Sequence, residues 1–333
     1  MEIAGPPDIT VPLPKPVLPL DIPRGARGHL SVVRNLRRMI YETRSHVVHA
    51  HGLRAGVDAG VTARTARTPS ALTVHNLLKD EIQGHQRVRL LRGTEAVATS
   101  LARLVFAPSR EIALHLKRAA PFASSRIEVM YLAPERPPVN RSSELVRAEL
   151  GLSESHLLAL TVTRLVPQKA LHVMLEAFAR VPSNFVLAVV GEGRLNDQLR
   201  SQAAQLGLRD RVRWLGWRDD VGDLIAAADV FALSSVWEAV ALAAQEAVQL
   251  GTPVVSTDVG GMSELITDGW SGRLVPAGDA PALAAALVEV AGTPTGRRFA
   301  ARAADAYEEN FSRARTLDRL QAAYRRLAHT RGA

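Results

Sequence analysis

Residues 236–246 read VWEAVALAAQE, with two carboxylates, Glu238 and Glu246, eight positions apart among alanine, valine, leucine, one tryptophan and one glutamine. A buried helix has no need of acids, and a solvated one would not be this apolar. A catalytic acid–base pair of the glycoside-hydrolase kind needs carboxyl groups roughly 5–9.5 Å apart, whereas eight residues of helix span about 12 Å. Ser235-x-x-Glu238 also matches a capping box, in which Glu238 would satisfy one backbone amide and nothing more. A third arrangement puts Glu238 in the turn ahead of a helix and Glu246 two turns into it. The acids then hold different parts of one ligand, and the helix N-terminal amides between them face an anion.

Two further turns carry chemistry-bearing residues. TRLVPQKA follows an apolar run and sets Arg164 and Lys169 five apart. A forked guanidinium and a point-charge ammonium converging at a strand end suit a diphosphate, and two solvated side chains are the plain alternative. VVGEGRLN contains Gly191 and Gly193, but the third glycine of a dinucleotide fingerprint is missing and the turn lies in mid-domain. It is weak evidence for a nicotinamide cofactor and reads instead as a permissive turn that lets a ligand approach closely.

The elements that must position these turns follow from apolar periodicity. The first 30 residues carry Pro6, Pro7, Pro12, Pro14, Pro16, Pro19 and Pro23, a pattern incompatible with a helix or a central strand. RNLRRMIYET then predicts a helix, SHVVHAHG a strand, residues 54–67 an alanine-rich helix, and PSALTVHN, LARLVFAPS and SRIEVMYLAP three more strands. APERPPVNRSS, residues 133–143, breaks the pattern as a linker, and strands and helices alternate again from LLALTVTRL onward, ending in helical sequence over 295–329. Alternating strands and helices specify α/β architecture with parallel sheets. Two such doubly wound domains in tandem are expected, with ligands at the carboxyl ends of the strands and a cleft between the domains.

Composition narrows the function classes. A chain of 333 residues suits two domains, and 47% hydrophobic residues describe a globular protein. No apolar run reaches the ~18 residues of a membrane span. Met1-Glu2 begins no positively charged leader, so a cytoplasmic location is expected. Without cysteine there are no disulfides, thiolate nucleophiles or cysteine zinc sites. Residues 1–136 hold 20 Lys and Arg against 11 Asp and Glu, while the remainder holds 21 against 22, so all the excess positive charge lies in the first half. That asymmetry suits an anionic membrane surface or simply a solvated arginine-rich face. Nucleic acid is disfavoured by 5% aromatic content with no basic–aromatic interleaving.

The ordered set R-L-V-P-Q-K, then G-E-G, then E-x7-E, then G-T-P-V-V-S-T-D-V-G-G-M-S-E-L resembles the family-4 glycosyltransferases, over residues 45–325. The resemblance implies the GT-B fold: two Rossmann-like domains facing a cleft, with residues 1–136 on the acceptor side and 137–333 binding the nucleotide sugar, the last helices packing back toward the first domain. It implies a retaining enzyme that uses a UDP- or GDP-sugar, with no cofactor beyond that donor. Arg164 and Lys169 would bind the donor diphosphate and stabilise the leaving group, Glu238 would hydrogen-bond the sugar, and Glu246 would hold the ribose. The amides of Val240, Ala241 and Leu242 would meet the phosphates, the glycines Gly191 and Gly193 would line the donor site, and the backbone at Trp217 would contact the base. His75 matches a histidine that contacts the donor sugar near the reacting carbon, and His49 and His51 lie on the acceptor side. With no Asp-x-Asp motif, a metal-bridged diphosphate is not indicated, and cationic stabilisation by Arg164 and Lys169 would take its place.

The sequence departs from the family pattern in three places. Where the family writes E-G-F-G this chain has Glu238-Ala239-Val240-Ala241, so amides approach phosphate with good geometry only if φ stays negative there. Thr163 and Ala170 replace the glycines flanking the Arg–Lys turn. MEIAGPPDI resembles the end of a second strand, so the N-terminal domain is expected to lack its first strand, glycine-rich loop and helix. Either a start codon is misassigned, or the chain is a truncated, non-catalytic nucleotide-sugar-binding paralogue. The basic first half suits an anionic lipid or other cell-envelope acceptor met at the inner membrane face.

Overall fold

The computed structural model describes residues 26–75 and 85–329. The proline-rich start and the MEIAGPPDI segment lie outside the described residues. The chain divides into two compact units, Met1–Tyr131 with Ala314–Ala333, and Leu132–Arg313.

The first unit opens on helix α1 (Ala26–Glu42). Its start corrects the expectation that proline keeps residues up to 30 out of a helix: the restriction ends with Pro23, and three residues later the chain is free to turn. Strand β1 (Val48–His51), helix α2 (Leu53–Thr65), β2 (Ser70–Thr73), α3 (His85–Leu101), β3 (Leu104–Ala107), α4 (Arg110–Ala119) and β4 (Ile127–Val129) follow. The helix α3 was not anticipated, because its sequence HQRVRLLRGTEAVATSL interrupts its apolar stripe with glycine and threonine. The four strands are parallel and lie in the order β1-β2-β3-β4. All four residues of β2 and of β3 are buried, as expected of a parallel sheet covered on both faces.

The second unit begins with the extended linker and helix α5 (Ser143–Glu149). It continues with β5 (Leu157–Val162), α6 (Leu171–Phe178), β6 (Phe185–Val190), α7 (Asn196–Gln205), β7 (Val212–Gly216), α8 (Val221–Ala227) and β8 (Val230–Leu233). Helix α9 (Leu242–Gln249), β9 (Val254–Thr257), the single turn α10 (Met262–Leu265), β10 (Arg273–Val275), α11 (Ala280–Val290) and α12 (Pro294–Asn310) complete it. Side-chain oxygens of Ser142, Asp279 and Thr293 cap α5, α11 and α12 by accepting from backbone amides three residues on. The six parallel strands run β10-β9-β8-β5-β6-β7, so consecutive strands fan out in opposite directions from the β5–β8 junction. That junction is the switch point of a doubly wound sheet. Phe178, Phe185, Leu187, Met174 and Leu287 are among the fully enclosed core side chains around it.

The linker is fastened to this unit. Asp223 accepts from the amides of Asn140 and Arg141 and from the Arg141 guanidinium, which also pairs with Asp220 and Glu149. The stretch 295–329, expected to be helical, forms two helices parted at Phe311 and Ser312, and the last, α13 (Arg313–His329), belongs almost wholly to the first unit. Its Ala323 and Leu327 pack on Ala71, Leu104, Phe106 and Met130. No helix among the described residues is long and apolar enough to cross a membrane.

Candidate functional site

The switch point brings together the loops that follow β5 and β8. After β5 the chain passes Thr163 and Arg164 into a short 3-10 turn, Pro167–Lys169; after β8 it runs from Ser234 to Ala241 before α9. The two loops are stitched by their backbones. The Ser234 hydroxyl donates to the carbonyls of Lys169 and Ala170 at 3.1 Å each, the Val236 amide to the Gln168 carbonyl at 2.9 Å, and the Gln168 side chain to the Trp237 carbonyl at 3.0 Å. In that frame Lys169 Nζ donates to Glu238 Oε1 at 2.5 Å, and the Ser235 hydroxyl donates to the same oxygen at 2.6 Å. Glu238 is buried. A buried carboxylate is tolerable because both donors compensate its desolvation. Both contacts fall on Oε1.

This overturns the capping-box reading of Ser235 and Glu238. Helix α9 starts at Leu242, its N-cap is Ala241 (φ −61°, ψ 120°), and no side chain caps it. Ser235 reaches Glu238 itself, because both lie in the loop, with residues 239–241 between Glu238 and the first residue of the helix. The first amides of α9, with no residue one turn earlier in the helix to accept from them, form the positive end of its dipole. Non-glycine residues with positive φ among the described residues are Arg44, Arg67 and Ala170. Ala239, Val240 and Ala241 therefore keep negative φ, the condition under which alanine substitutes for glycine in presenting amides to an anion.

Glu246 is the fifth residue of α9, little more than one turn in rather than two. It is half-buried, and burial pushes its carboxyl above the usual range. Among the described residues neither the Glu246 carboxylate nor the exposed Arg164 guanidinium has a hydrogen-bond or ion-pair partner.

Gly191 and Gly193 follow β6, and their shape is set by the β5 loop beside them. A Cβ on Gly191 (φ +120°) would lie 2.1 Å from the Thr163 carbonyl oxygen, and one on Gly193 2.4 Å from that of Leu165. The reading of this turn as room for a ligand is thus incomplete: chain-to-chain contact already demands both glycines. The Gly191 amide donates to the Gly216 carbonyl at 2.7 Å, which carries the row on to Trp217, 73% exposed just after β7. Ala170, in the place of a family glycine, stands at φ 43°, ψ 41°, in the left-handed region, with its side chain buried.

In the first unit the histidines gather at the carboxyl ends of β1 and β2. His49 Nδ1 is 2.6 Å from the Tyr324 hydroxyl and its Nε2 is 2.8 Å from Thr73 Oγ1. Burial, reinforced by the neighbouring His51 and His75, pushes the His49 pKa down to about 3. His51 Nδ1 lies 3.0 Å from His75 Nε2. Burial first, then His51, lowers the His75 pKa.

Several contributors were not legible beforehand. Ser234 and Gln168 brace the turn bearing Lys169; Gln168 stands inside the quoted R-L-V-P-Q-K run with no role assigned to it there, and Ser234 carries no signal apart from adjacency to Ser235. Thr257, whose hydroxyl donates to the Ser235 carbonyl at 2.6 Å, closes the β9 side; it sits in the quoted S-T-D segment, where its role could have been suspected. Among the described residues no group of three His, Asp or Glu side chains is placed to hold a metal ion.

A parallel-sheet unit with this constellation at its switch point, following a second parallel-sheet unit, defines the GT-B class. The sequence model described as "Glycosyl transferases group 1" matches residues 142–304, and that described as "Glycosyltransferase Family 4" matches residues 4–133. The chain belongs to the family-4 GT-B glycosyltransferases. It is 27% identical over 266 residues to the Escherichia coli UDP-Gal:alpha-D-GlcNAc-diphosphoundecaprenol alpha-1,3-galactosyltransferase, covering 77% of this chain and 69% of that protein. It is 36% identical over 168 residues to the Rhizobium meliloti lipopolysaccharide core biosynthesis glycosyltransferase LpsE, covering 50% of this chain and 49% of the relative. It therefore spans about half to two thirds of these curated relatives. Among solved structures, Anabaena HepE in complex with UDP and glucose superposes with a TM-score of 0.78 at 25% identity, covering 90% of this chain and 83% of that one. Sucrose-phosphate synthase from Thermosynechococcus elongatus superposes with 0.79 at 21%, covering 93% and 81%.

Proposed function

We propose that the protein is a retaining glycosyltransferase that moves a hexose from a UDP- or GDP-sugar to a lipid-linked or other cell-envelope acceptor. The observation that carries this reading is the Lys169–Glu238–Ser235 cluster beside the open N-terminus of α9. An ammonium has three donors, so Lys169 can keep Glu238 and still meet a phosphate oxygen. Arg164 adds a second cation, and the amides of Val240 to Leu242 add neutral donors. Together they place positive potential where charge develops as the nucleotide diphosphate departs. Glu238, pinned at Oε1, offers Oε2 to a sugar hydroxyl and so fixes the sugar relative to the diphosphate. Glu246, half-buried on the next turn, takes the ribose hydroxyls, whose donation would offset the burial that raises its pKa. Gly191, Gly193 and the backbone at Trp217 complete the donor site, and His75 is read as a further contact to the donor sugar.

Support for the nucleotide sugar comes from HepE, solved with UDP and glucose, and from the E. coli relative, whose name gives UDP-Gal as donor and a diphosphoundecaprenol-linked sugar as acceptor. The basic charge of residues 1–136 supports an anionic acceptor held at the inner membrane face of the cytoplasm. The test is turnover of a panel of UDP- and GDP-sugars, with binding followed in parallel by calorimetry. Consumption of one donor, abolished by Glu238→Ala and Lys169→Ala, supports the reading. Binding without turnover to any acceptor or to water would instead make the chain a nucleotide-sugar-binding paralogue.

A further inference from the structure

The histidine cluster of the first unit has an internal geometry that the donor site does not explain. Val48 to His51 pairs in register with Ser70 to Thr73, so His51 stands opposite Thr73, and His75 lies two residues beyond. Residues two apart in extended chain point to the same side, which puts His49 and His51 on one face, their ring centroids 4.4 Å apart. The His51 and His75 rings lie within 17° of parallel with centroids 5.2 Å apart, and His51 Nδ1 is 3.0 Å from His75 Nε2. Near-coplanar rings with that nitrogen separation share a hydrogen bond in the ring plane rather than a face-to-face stack.

We propose that His51 is a positioning residue for His75: the shared hydrogen bond fixes the plane and tautomer of the His75 ring, so that its Nδ1 is the nitrogen presented to the donor sugar. The proposal rests on the reading of His75 as a donor-sugar contact. A single proton lies between the two rings. If His51 Nδ1 carries it, His75 Nε2 is the acceptor and its own proton sits on Nδ1, which then donates to the ligand. If His75 Nε2 carries it, His51 keeps its proton on Nε2 and His75 Nδ1 is a ligand acceptor. Because the bond joins Nδ1 of one ring to Nε2 of the other, both neutral rings must be the same tautomer. His49 anchors the far side, held between Tyr324 and Thr73, so the His51 ring has a fixed neighbour to rest on. Burial keeps His49 and His75 neutral at pH 7, which preserves a one-proton bridge.

The first measurement is the ring nitrogen spectrum of the wild-type protein labelled with 15N-histidine, which needs no substrate. His51 and His75 are expected in one and the same tautomer; opposite tautomers, or a His75 ring averaging both, overturn the proposal. The second compares His51→Phe, which removes the nitrogen, with His51→Asn, whose side-chain amide can occupy the Nδ1 position. His51→Phe is expected to release the His75 ring into a tautomer mixture. With the donor found in the panel, it should also lower kcat about tenfold while KM for the donor changes little. His51→Asn is expected to recover most of both. An unchanged His75 spectrum in His51→Phe, or equal impairment of the two variants, overturns the assignment. A wild-type chain that turns over no nucleotide sugar would overturn the proposed function, and the tautomer measurement would still decide the His51–His75 bond.

Discussion

The ammonium of Lys169 donates to Glu238 Oε1 at 2.5 Å although 69 residues of chain separate them. Each is the other's compensation in a buried setting, so deleting either leaves a charge without its partner. Lys169→Ala should lower transfer by about 10²–10³-fold and also destabilise the fold by about 1–3 kcal/mol, because Glu238 keeps only Ser235. Glu238→Gln, which retains an acceptor for Lys169, should fold nearly as well as wild type yet lose sugar positioning. Turnover assays alongside urea denaturation separate the two effects; equal turnover in wild type and both variants would remove the pair from the donor site.

Ala170 occupies the left-handed region at φ 43°, which costs a non-glycine residue about 1–2 kcal/mol. Glycine would relieve that strain and lose part of the gain to greater freedom in the unfolded chain. Ala170→Gly should therefore raise stability by about 0.5–1 kcal/mol, seen as a higher urea midpoint at constant m-value. A lower midpoint would mean that the buried methyl is worth more than the strain.

Gly191 and Gly193 are held by the neighbouring loop. Gly191→Ala places a methyl carbon 2.1 Å from the Thr163 carbonyl at a φ of +120°, and a backbone atom cannot rotate away as a side chain would. A loss of at least about 2 kcal/mol is expected, with both strand-end loops displaced. Gly193→Ala should behave alike at its 2.4 Å contact with Leu165. Thermal melts of both variants without ligand test this; unchanged melting temperatures would place the glycines' purpose wholly in ligand approach.

Acid should weaken the protein in two stages. Folded His49 refuses a proton until about pH 3, whereas the unfolded chain takes it up near 6.5, so stability falls as pH drops through that interval. One proton amounts to about 1.4 kcal/mol per pH unit, and His75, also lowered, adds in the same direction. Below the ordinary carboxylate values of 3.8 and 4.5 a second loss begins. Glu149 is held down by Arg141 and then Arg218, and Asp220 by Arg218. Burial pushes Asp223 up, but the amides of Asn140 and Arg141 and the Arg141 guanidinium outweigh it. These carboxylates contribute above their unfolded values and lose that contribution as pH falls through their folded ones. Urea midpoints from about pH 7 to 3, repeated with His49→Gln, test the first stage: the variant should show a shallower slope between about pH 6.5 and 5.

Much of the second unit could be read from residue order alone. Strands such as β6, FVLAVV, are apolar at every position because a parallel sheet buries both faces, and the turns after them announce themselves by charge or glycine. The first unit was less legible. Helix α3 has no clean apolar stripe, and the start of α1 was obscured by prolines that constrain only their own surroundings. Ser235 stayed open between two readings, because a serine three residues before a glutamate has the same spacing in a capping box and in a loop, and only the position of the helix start distinguishes them.

By itself the sequence determined the α/β alternation, the family, and the residue types able to hold a nucleotide sugar, since these depend on local periodicity and on ordered motifs along one chain. Tertiary structure decided which of those residues meet. The strand order β10-β9-β8-β5-β6-β7 sets the end of β5 against the end of β8, and so joins Lys169 to Glu238. The register of β1 on β2 sets His51 against His75. The two pairings join residues 24 and 69 positions apart, and no spacing within a motif encodes which strand will lie beside which.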